Sequence, residues 1–114
     1  MTYEERKRQQ VLRFINDIKK KHPNEIEDTF MNGYCYWFAQ MITKRFNGEI
    51  WFNPYICHFA AFVEDRLYDA SGMLEDSYGW YNWDGWSAMN QYEAAQIERT
   101  IIMKSQITDG KEEE

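Results

Sequence analysis

Apolar residues at the start of the chain recur at the spacing of an α-helix. They define one narrow stripe, made of Val11, Leu12, Ile15 and Ile18. Thr2 and Glu5 have the spacing of a capping box, in which each side chain bonds the other residue's backbone amide, so the helix should begin near Tyr3. Pro23 disfavours the helical conformation of the residue before it, and the helix should end there.

A second helix is predicted in the middle of the first half. It should begin near Asn32 or Gly33, and Asn47-Gly48 provides a C-terminal stop. At about 100° per residue, one face of this helix is apolar. It consists of Cys35, Phe38, Ala39, Ile42 and Phe46. The Cys35 thiol is therefore expected at the N-terminal end of the helix, facing the core.

Aromatic and β-branched residues after this helix predict a small sheet, with strands over residues 49–53, 55–64 and 66–70. In the long strand His58 and Ala60 share a face, whereas Cys57 belongs to the other one. If Glu64-Asp65 forms a two-residue turn, Ala60 lies opposite Asp69. The side chains of His58 and Asp69 are then diagonal neighbours that can form a hydrogen bond.

The segment after the hairpin alternates large aromatic residues with turn-forming ones. Five aromatic side chains fall within nine positions, namely Tyr78, Trp80, Tyr81, Trp83 and Trp86. The glycines and asparagines between them predict a loop with turns over 78–86. Beyond it, Asn90 with Glu93 predicts a short capped helix, and residues 96–104 fit either a closing strand or a continued helix.

Length and composition indicate one folded domain. The chain has 114 residues, of which 44% are hydrophobic and 18% aromatic. We expect an α+β domain over residues 1–108, with N-terminal helices packed on a small antiparallel sheet, and a disordered acidic tail over 109–114. No apolar run approaches the roughly 20 residues that cross a membrane, and the first ten residues are too polar for a signal peptide. A cytoplasmic protein with reduced cysteines and no membrane contact is expected.

The formal charge of −6 is divided unevenly. Residues 1–22 carry seven Lys or Arg against three acidic residues, whereas residues 23–108 carry five against twelve. A basic helix on an acidic body could contact nucleic acid. A solvated amphipathic face is the more common meaning of such a helix. Nucleic acid is not the expected partner, because no basic stripe continues into the aromatic-rich part. A protein or peptide substrate or partner is expected. The sequence does not predict an oligomeric state.

Cys35, His58 and Asp69 supply the residue types of an activated thiol. A helix N-terminus favours the thiolate, a histidine can accept the proton, and a carboxylate can orient the imidazole. The Cys35 amide would stabilise an oxyanion together with Asn32 or Tyr34. Each residue type taken alone is more often structural, as a buried cysteine, a core histidine or a turn aspartate.

No metal or other cofactor is expected. Cys57 and His58 alternate along the predicted strand, so they point in opposite directions. The chain also lacks the C-x-x-C and H-x3-H spacings of common zinc sites.

The order of these residues resembles the papain-like and transglutaminase-like thiol superfamily. The resemblance covers about residues 31–72 and is carried by G-Y-C-Y-W-F-A around Cys35 and by H-F-A-A-F-V-E-D-R-L-Y-D-A-S-G beginning at His58. These pieces are similar to short bacterial and phage-type members. The resemblance implies a cysteine helix packed on an antiparallel sheet, with Cys35 as nucleophile, His58 as general base and Asp69 as orienting acid. The glycine-rich cysteine box and the oxyanion glutamine of papain itself are absent.

Two functions are therefore compatible with the sequence. The first is a small thiol enzyme of the peptidase, deamidase or acyltransferase type, which attacks an amide or acyl carbonyl. The alternative is a catalytically inactive fold that acts as a protein-binding or inhibitory module. The resemblance to phage-type members implies that such a module would be encoded by a phage. In either case the aromatic side chains would cover the core or contact a substrate or partner. We expect Trp86 to be buried and place Trp37 with Trp80 or Trp83 at the binding surface.

Overall fold

The computed structural model describes residues 2–21 and 34–102, and these ranges form helices and one antiparallel sheet. The helices are α1 (Tyr3–Lys21), α2 (Tyr34–Phe46), α3 (Trp83–Met89) and α4 (Gln91–Ile97), which a π-helical turn continues over Glu98–Ile102. The strands are β1 (Glu49–Asn53), β2 (His58–Val63), β3 (Arg66–Asp69), β4 (Gly72–Met73) and β5 (Tyr81–Asn82). The α+β class with a small antiparallel sheet is thus confirmed.

Helix α1 begins at the predicted capping box. The Thr2 amide donates to Glu5 Oε1 at 3.0 Å, and the Glu5 amide donates to Thr2 Oγ1 at 3.1 Å. Its buried residues are Val11, Ile15 and Ile18, which belong to the predicted stripe. Within residues 2–21 and 34–102, no helix is long and apolar enough to cross a membrane.

Helix α2 ends where the sequence predicts. Asn47 adopts a left-handed backbone with φ of 58°, and the Gly48 amide donates to the Thr43 carbonyl at 3.0 Å. A Cβ on Gly48 would lie only 2.5 Å from the carbonyl oxygen of Phe62 and 2.8 Å from Val63 Cγ2. Glycine is therefore required here because the turn after α2 approaches the β2 backbone closely.

The sheet has the strand order β4-β3-β2-β1-β5, with β2 at its centre. Ala61 pairs with Tyr68 and Val63 with Arg66, so Glu64 and Asp65 form the predicted two-residue turn. Both turn residues have positive φ, 49° and 67°, as a type I′ turn requires. This register continues to Ala60 opposite Asp69.

Strand alternation gives the sheet two different faces. The helical face packs against α1, α2 and α3 through buried side chains that include Phe52, Phe59, Ala61, Val63 and Tyr68. The outer face carries the alternating residues, among them Trp51, Asn53, His58, Ala60, Phe62, Leu67 and Asp69. The segment over 74–80 lies along the outer face, since the ring centroid of Trp80 is 6.0 Å from that of His58.

Strand β2 is shorter than predicted, because residues 54–57 form the turn that connects it to β1. Asn53 Oδ1 accepts a hydrogen bond from the Tyr55 amide at 2.9 Å, which starts the turn. Cys57 has a positive φ of 53° and is exposed. The prediction that Cys57 occupies a strand position opposite in direction to His58 is therefore wrong.

The aromatic segment is more regular than a loop. Asn82, predicted as a turn residue, is the N-cap of α3, and its Oδ1 accepts from the Gly85 amide at 3.1 Å. Helix α4 does begin after Asn90, but the Asn90 side chain donates to the Trp86 carbonyl instead of capping it. Because helix continues through Ile102, a closing strand over this stretch is wrong. The predicted acidic tail over 109–114 lies outside the described residues.

Candidate active site

The centre of the site is a buried hydrogen bond between β2 and β3. His58 Nε2 lies 3.0 Å from Asp69 Oδ2, and the two residues are 3% and 5% exposed. Their contact confirms the diagonal register predicted from the two-residue turn. The other carboxylate oxygen, Asp69 Oδ1, accepts from the amide and the hydroxyl of Ser71, at 2.8 Å and 2.5 Å respectively.

These hydrogen bonds fix the ionisation of Asp69. Burial alone would raise the pKa of this carboxyl, but hydrogen bonds from His58 and Ser71 outweigh it and hold the pKa below its ordinary value of 3.8. Asp69 is therefore a carboxylate at neutral pH. Because a carboxylate accepts hydrogen bonds only, the His58 ring carries a proton on Nε2, and in the neutral ring Nδ1 holds the lone pair.

Polar and aromatic neighbours enclose this pair. Asn53 is 7% exposed and pairs with His58 across β1 and β2. Gly79 has a positive φ of 81°, and a Cβ there would lie 3.2 Å from Asn53 Nδ2. The backbone of the segment over 74–80 thus comes within contact distance of the buried end of the outer face, where Trp80 meets the imidazole edge to face.

Cys35 lies in the first turn of α2 and is only 4% exposed. Burial, the largest influence, raises the pKa of its thiol from 9.0 to about 11, although backbone hydrogen bonds from Phe59, Tyr36 and Cys35 itself lower it. The predicted help from the helix N-terminus is therefore present but smaller than the effect of burial. At neutral pH the resting group is a thiol.

The thiol and the imidazole approach β2 from different sides. Cys35 packs with the helical face, and its sulfur interacts with the backbone of Phe59. His58, the preceding residue, belongs to the outer face with Asp69. The two groups therefore lie on opposite faces at the start of β2, with the Phe59 backbone beside the sulfur.

The other predicted site residues differ in location and burial. Asn32 lies outside the described residues, and Tyr34 is the first residue of α2. Trp37 is buried in the core at 5% exposure, so it does not present a surface to a partner. Trp80 is half-buried beside His58, and its predicted binding role stays a prediction.

The expected difference between Trp83 and Trp86 is reversed. Trp83 is buried, with its ring 5.2 Å from Phe52 and 5.0 Å from Phe59, whereas Trp86 is half-buried. The reason is the Asn82 cap, which starts a helix and turns its first residue toward the core. Trp83 is therefore mainly a core residue, at 8% exposure.

Asn53 and Ser71 also belong to the site, although the sequence pattern did not predict them there. The signal for Ser71 is its position two residues after an aspartate, the spacing of an Asx turn. Asn53 precedes Pro54 at the end of a strand, where a side-chain oxygen often starts a turn. Across the two described ranges, His, Cys, Asp and Glu side chains form no group of three suited to a metal ion.

Comparison with protein-family models, with curated proteins and with solved structures gives no match. The resemblance of the chain to the papain-like and transglutaminase-like superfamily therefore stays a prediction from the motifs around Cys35, His58 and Asp69. Function is accordingly inferred from the geometry of these three residues.

The raised pKa of Cys35 predicts alkaline destabilisation. An unfolded thiol loses its proton above about pH 9, whereas the folded one keeps it until about pH 11. Stability present below pH 9 is thus lost as pH rises to 11, by about 2 to 3 kcal/mol in total. Urea unfolding between pH 8 and 11 should show a flatter profile for Cys35→Ala than for wild type. Cys57→Ser should retain most of the wild-type slope because Cys57 is exposed.

Proposed function

We propose that the protein is a small thiol enzyme with a papain-like or transglutaminase-like core, in which Cys35 attacks an amide or acyl carbonyl of a protein or peptide. His58 acts as general base, and Asp69 orients it. The observation that carries this proposal is the buried hydrogen bond of 3.0 Å between His58 and an ionised Asp69, one residue from the backbone that meets the Cys35 sulfur. An imidazole held in this way has its base, Nδ1, fixed in one tautomer.

The reaction would proceed by proton transfer and thioester formation. Nδ1 of His58 takes the Cys35 proton as the sulfur bonds to the carbonyl carbon, and the resulting oxyanion is stabilised by the Cys35 amide at the start of α2. The imidazolium then gives its proton to the leaving amine, the carbon–nitrogen bond breaks, and a thioester remains. Water or another nucleophile resolves the thioester with His58 again as base. No cofactor takes part in these steps.

The burial of Cys35 determines whether its resting side chain is a thiol or a thiolate. With the thiol pKa raised to about 11, a thiolate–imidazolium pair is not the resting state. The thiol instead loses its proton to His58 as it attacks, which is general-base catalysis and typically contributes a factor of about 10² to 10⁴. Reduced Cys35 is required, in keeping with a cytoplasmic location.

Acylation of Cys35 by an activated ester tests the proposal. With p-nitrophenyl acetate at neutral pH, we expect a burst of nitrophenolate and an acetyl group on the Cys35 peptide by mass spectrometry. His58→Ala should reduce the acylation rate by about 10² or more, and Cys35→Ser should abolish the burst. Cys57→Ser is the matched control and should behave like wild type. Equal acylation of wild type and His58→Ala would reject the enzyme assignment.

The alternative is a catalytically inactive fold that acts as a protein-binding or inhibitory module. Its specific support is the 4% exposure of Cys35 together with the raised pKa of the thiol. In that case Cys35→Ala should leave partner binding unchanged, and no acyl group should form on Cys35. The acylation experiment therefore separates the two functions.

A further inference from the structure

A cavity lies on the outer face of the sheet, apart from the thiol. Its volume is about 650 Å³, within the range of about 300 to 1,000 Å³ that is usual for small-ligand sites. Trp51 and Phe62 line it with rings stacked 4.3 Å apart at an interplanar angle of 17°. Leu67, Met73 and Leu74 extend the apolar lining.

Carboxylates predominate among the charged groups around this cavity. Asp65, Glu75 and Asp76 line it, against a single cation, Arg66. Asp76 accepts a hydrogen bond from the Tyr78 amide at 3.1 Å, whereas Asp65 and Glu75 form no ion pair in the part of the chain that the structure describes. The cavity therefore combines an aromatic and aliphatic lining with excess negative charge.

We propose that this cavity binds an arginine side chain of a polypeptide. Arginine has a long aliphatic stem, which suits Leu67, Met73 and Leu74, and a planar cation, which stacks on aromatic rings such as those of Trp51 and Phe62. The neighbouring carboxylates complement its charge and disfavour phosphate or nucleic acid. A neutral apolar ligand would use the same lining but would gain nothing from Asp65 and Glu75.

The position of the cavity separates it from the proposed reaction. Phe62 and His58 lie on the same face of β2, four residues apart, which corresponds to about 13 Å at about 3.3 Å per residue. Between them Ala60 is fully buried, and the Trp80 ring packs on His58. The arginine site therefore does not rest on the proposed function.

A pair of matched peptides tests the site. The probe is an acetylated and amidated Ala-Ala-Arg-Ala-Ala peptide, and its control replaces arginine with citrulline, which has nearly the same shape but no charge. Binding is followed by the indole N–H resonance of Trp51, assigned with Trp51→Phe. We expect a saturable shift with the arginine peptide and a Kd about fivefold or more below that of the citrulline peptide.

A charge variant supplies the second readout. Glu75→Gln should weaken binding of the arginine peptide about threefold or more and leave the citrulline peptide unaffected. Glu93→Gln, at an acidic residue outside this cavity, should leave both affinities unchanged. Equal affinity for the two peptides, or a Trp51 resonance that moves with neither, would overturn the proposal.

Cys35→Ala keeps this result separate from the thiol chemistry, because it should bind the arginine peptide as wild type does. If wild type is not acylated but still discriminates between the two peptides, only the enzyme is rejected. If wild type is acylated but binds both peptides equally, only the arginine site is rejected.

Discussion

Replacing Asp69 by alanine is expected to lower the free energy of unfolding by about 3 kcal/mol. The substitution removes a buried carboxylate that accepts hydrogen bonds from His58 and from both the amide and the hydroxyl of Ser71. His58, at 3% exposure, would lose this partner, and desolvated polar groups that lose a partner cost about 1 to 3 kcal/mol each. Urea unfolding at pH 7 measures the loss. Asp17→Ala, at an exposed position of α1, is the matched control and should change stability by less than about 0.5 kcal/mol.

Acid titration distinguishes the charge of Asp69 from its packing. Its pKa is lower in the folded than in the unfolded protein, so the stabilisation is complete above about pH 4 and is lost as pH falls toward the lower folded pKa. Asp69→Asn keeps the shape of the side chain but not this ionisation, so its stability should fall less steeply below pH 4 than that of wild type. Parallel acid profiles for the two proteins would show that the carboxylate charge contributes nothing.

Gly48→Ala is expected to destabilise the fold by about 3 kcal/mol, at the upper end of the usual range for overpacking. The added Cβ would lie 2.5 Å from the Phe62 carbonyl oxygen, which belongs to the central strand and cannot move without disturbing its neighbours. Gly85→Ala is the matched control, because a Cβ there meets no atom within 4 Å. Gly85 lies inside α3, so this variant should be more stable by about 0.5 to 1 kcal/mol.

Thermal or urea unfolding of the two glycine variants provides a direct comparison. Opposite signs are expected, since one variant adds a clash and the other adds helix propensity. If Gly48→Ala proved as stable as wild type, the close approach between the end of α2 and β2 would be wrong. The contact between Gly48 and β2 also fixes the position of α2 along its axis. It thereby fixes where Cys35 lies along β2.

The contact between His58 and Asp69 was predictable because strand geometry leaves little freedom. Once Glu64-Asp65 is a two-residue turn, the period of two along each strand decides which residues face each other. The cap of α1 was equally local, since Thr2 and Glu5 bond within one turn of chain. Such features depend on neighbours in sequence, and sequence patterns therefore identify them.

Features that depend on distant neighbours were not predictable. Tyr55 and Ile56 have strand propensity, but pairing of Asn53 with His58 leaves them in a turn. The position of Trp83 in the core follows from where α3 docks on Phe52 and Phe59. The pKa of Cys35 reflects a balance between burial and nearby amides, and burial is decided by the whole fold.

The most direct test of the account is the rate at which iodoacetamide alkylates Cys35 and Cys57 at pH 7, resolved by peptide mass spectrometry. With a pKa of about 11, only about one Cys35 in 10⁴ would be a thiolate at this pH without help from a base. We predict that Cys35 reacts faster than this fraction allows and that His58→Ala slows it at least about tenfold. The exposed Cys57 should be unaffected. Loosened packing in the variant would accelerate the reaction, so a decrease reports the loss of the base. If Cys35 reacts only near pH 11 or on unfolding, equally in both proteins, the thiol is a core residue and the proposed triad is wrong.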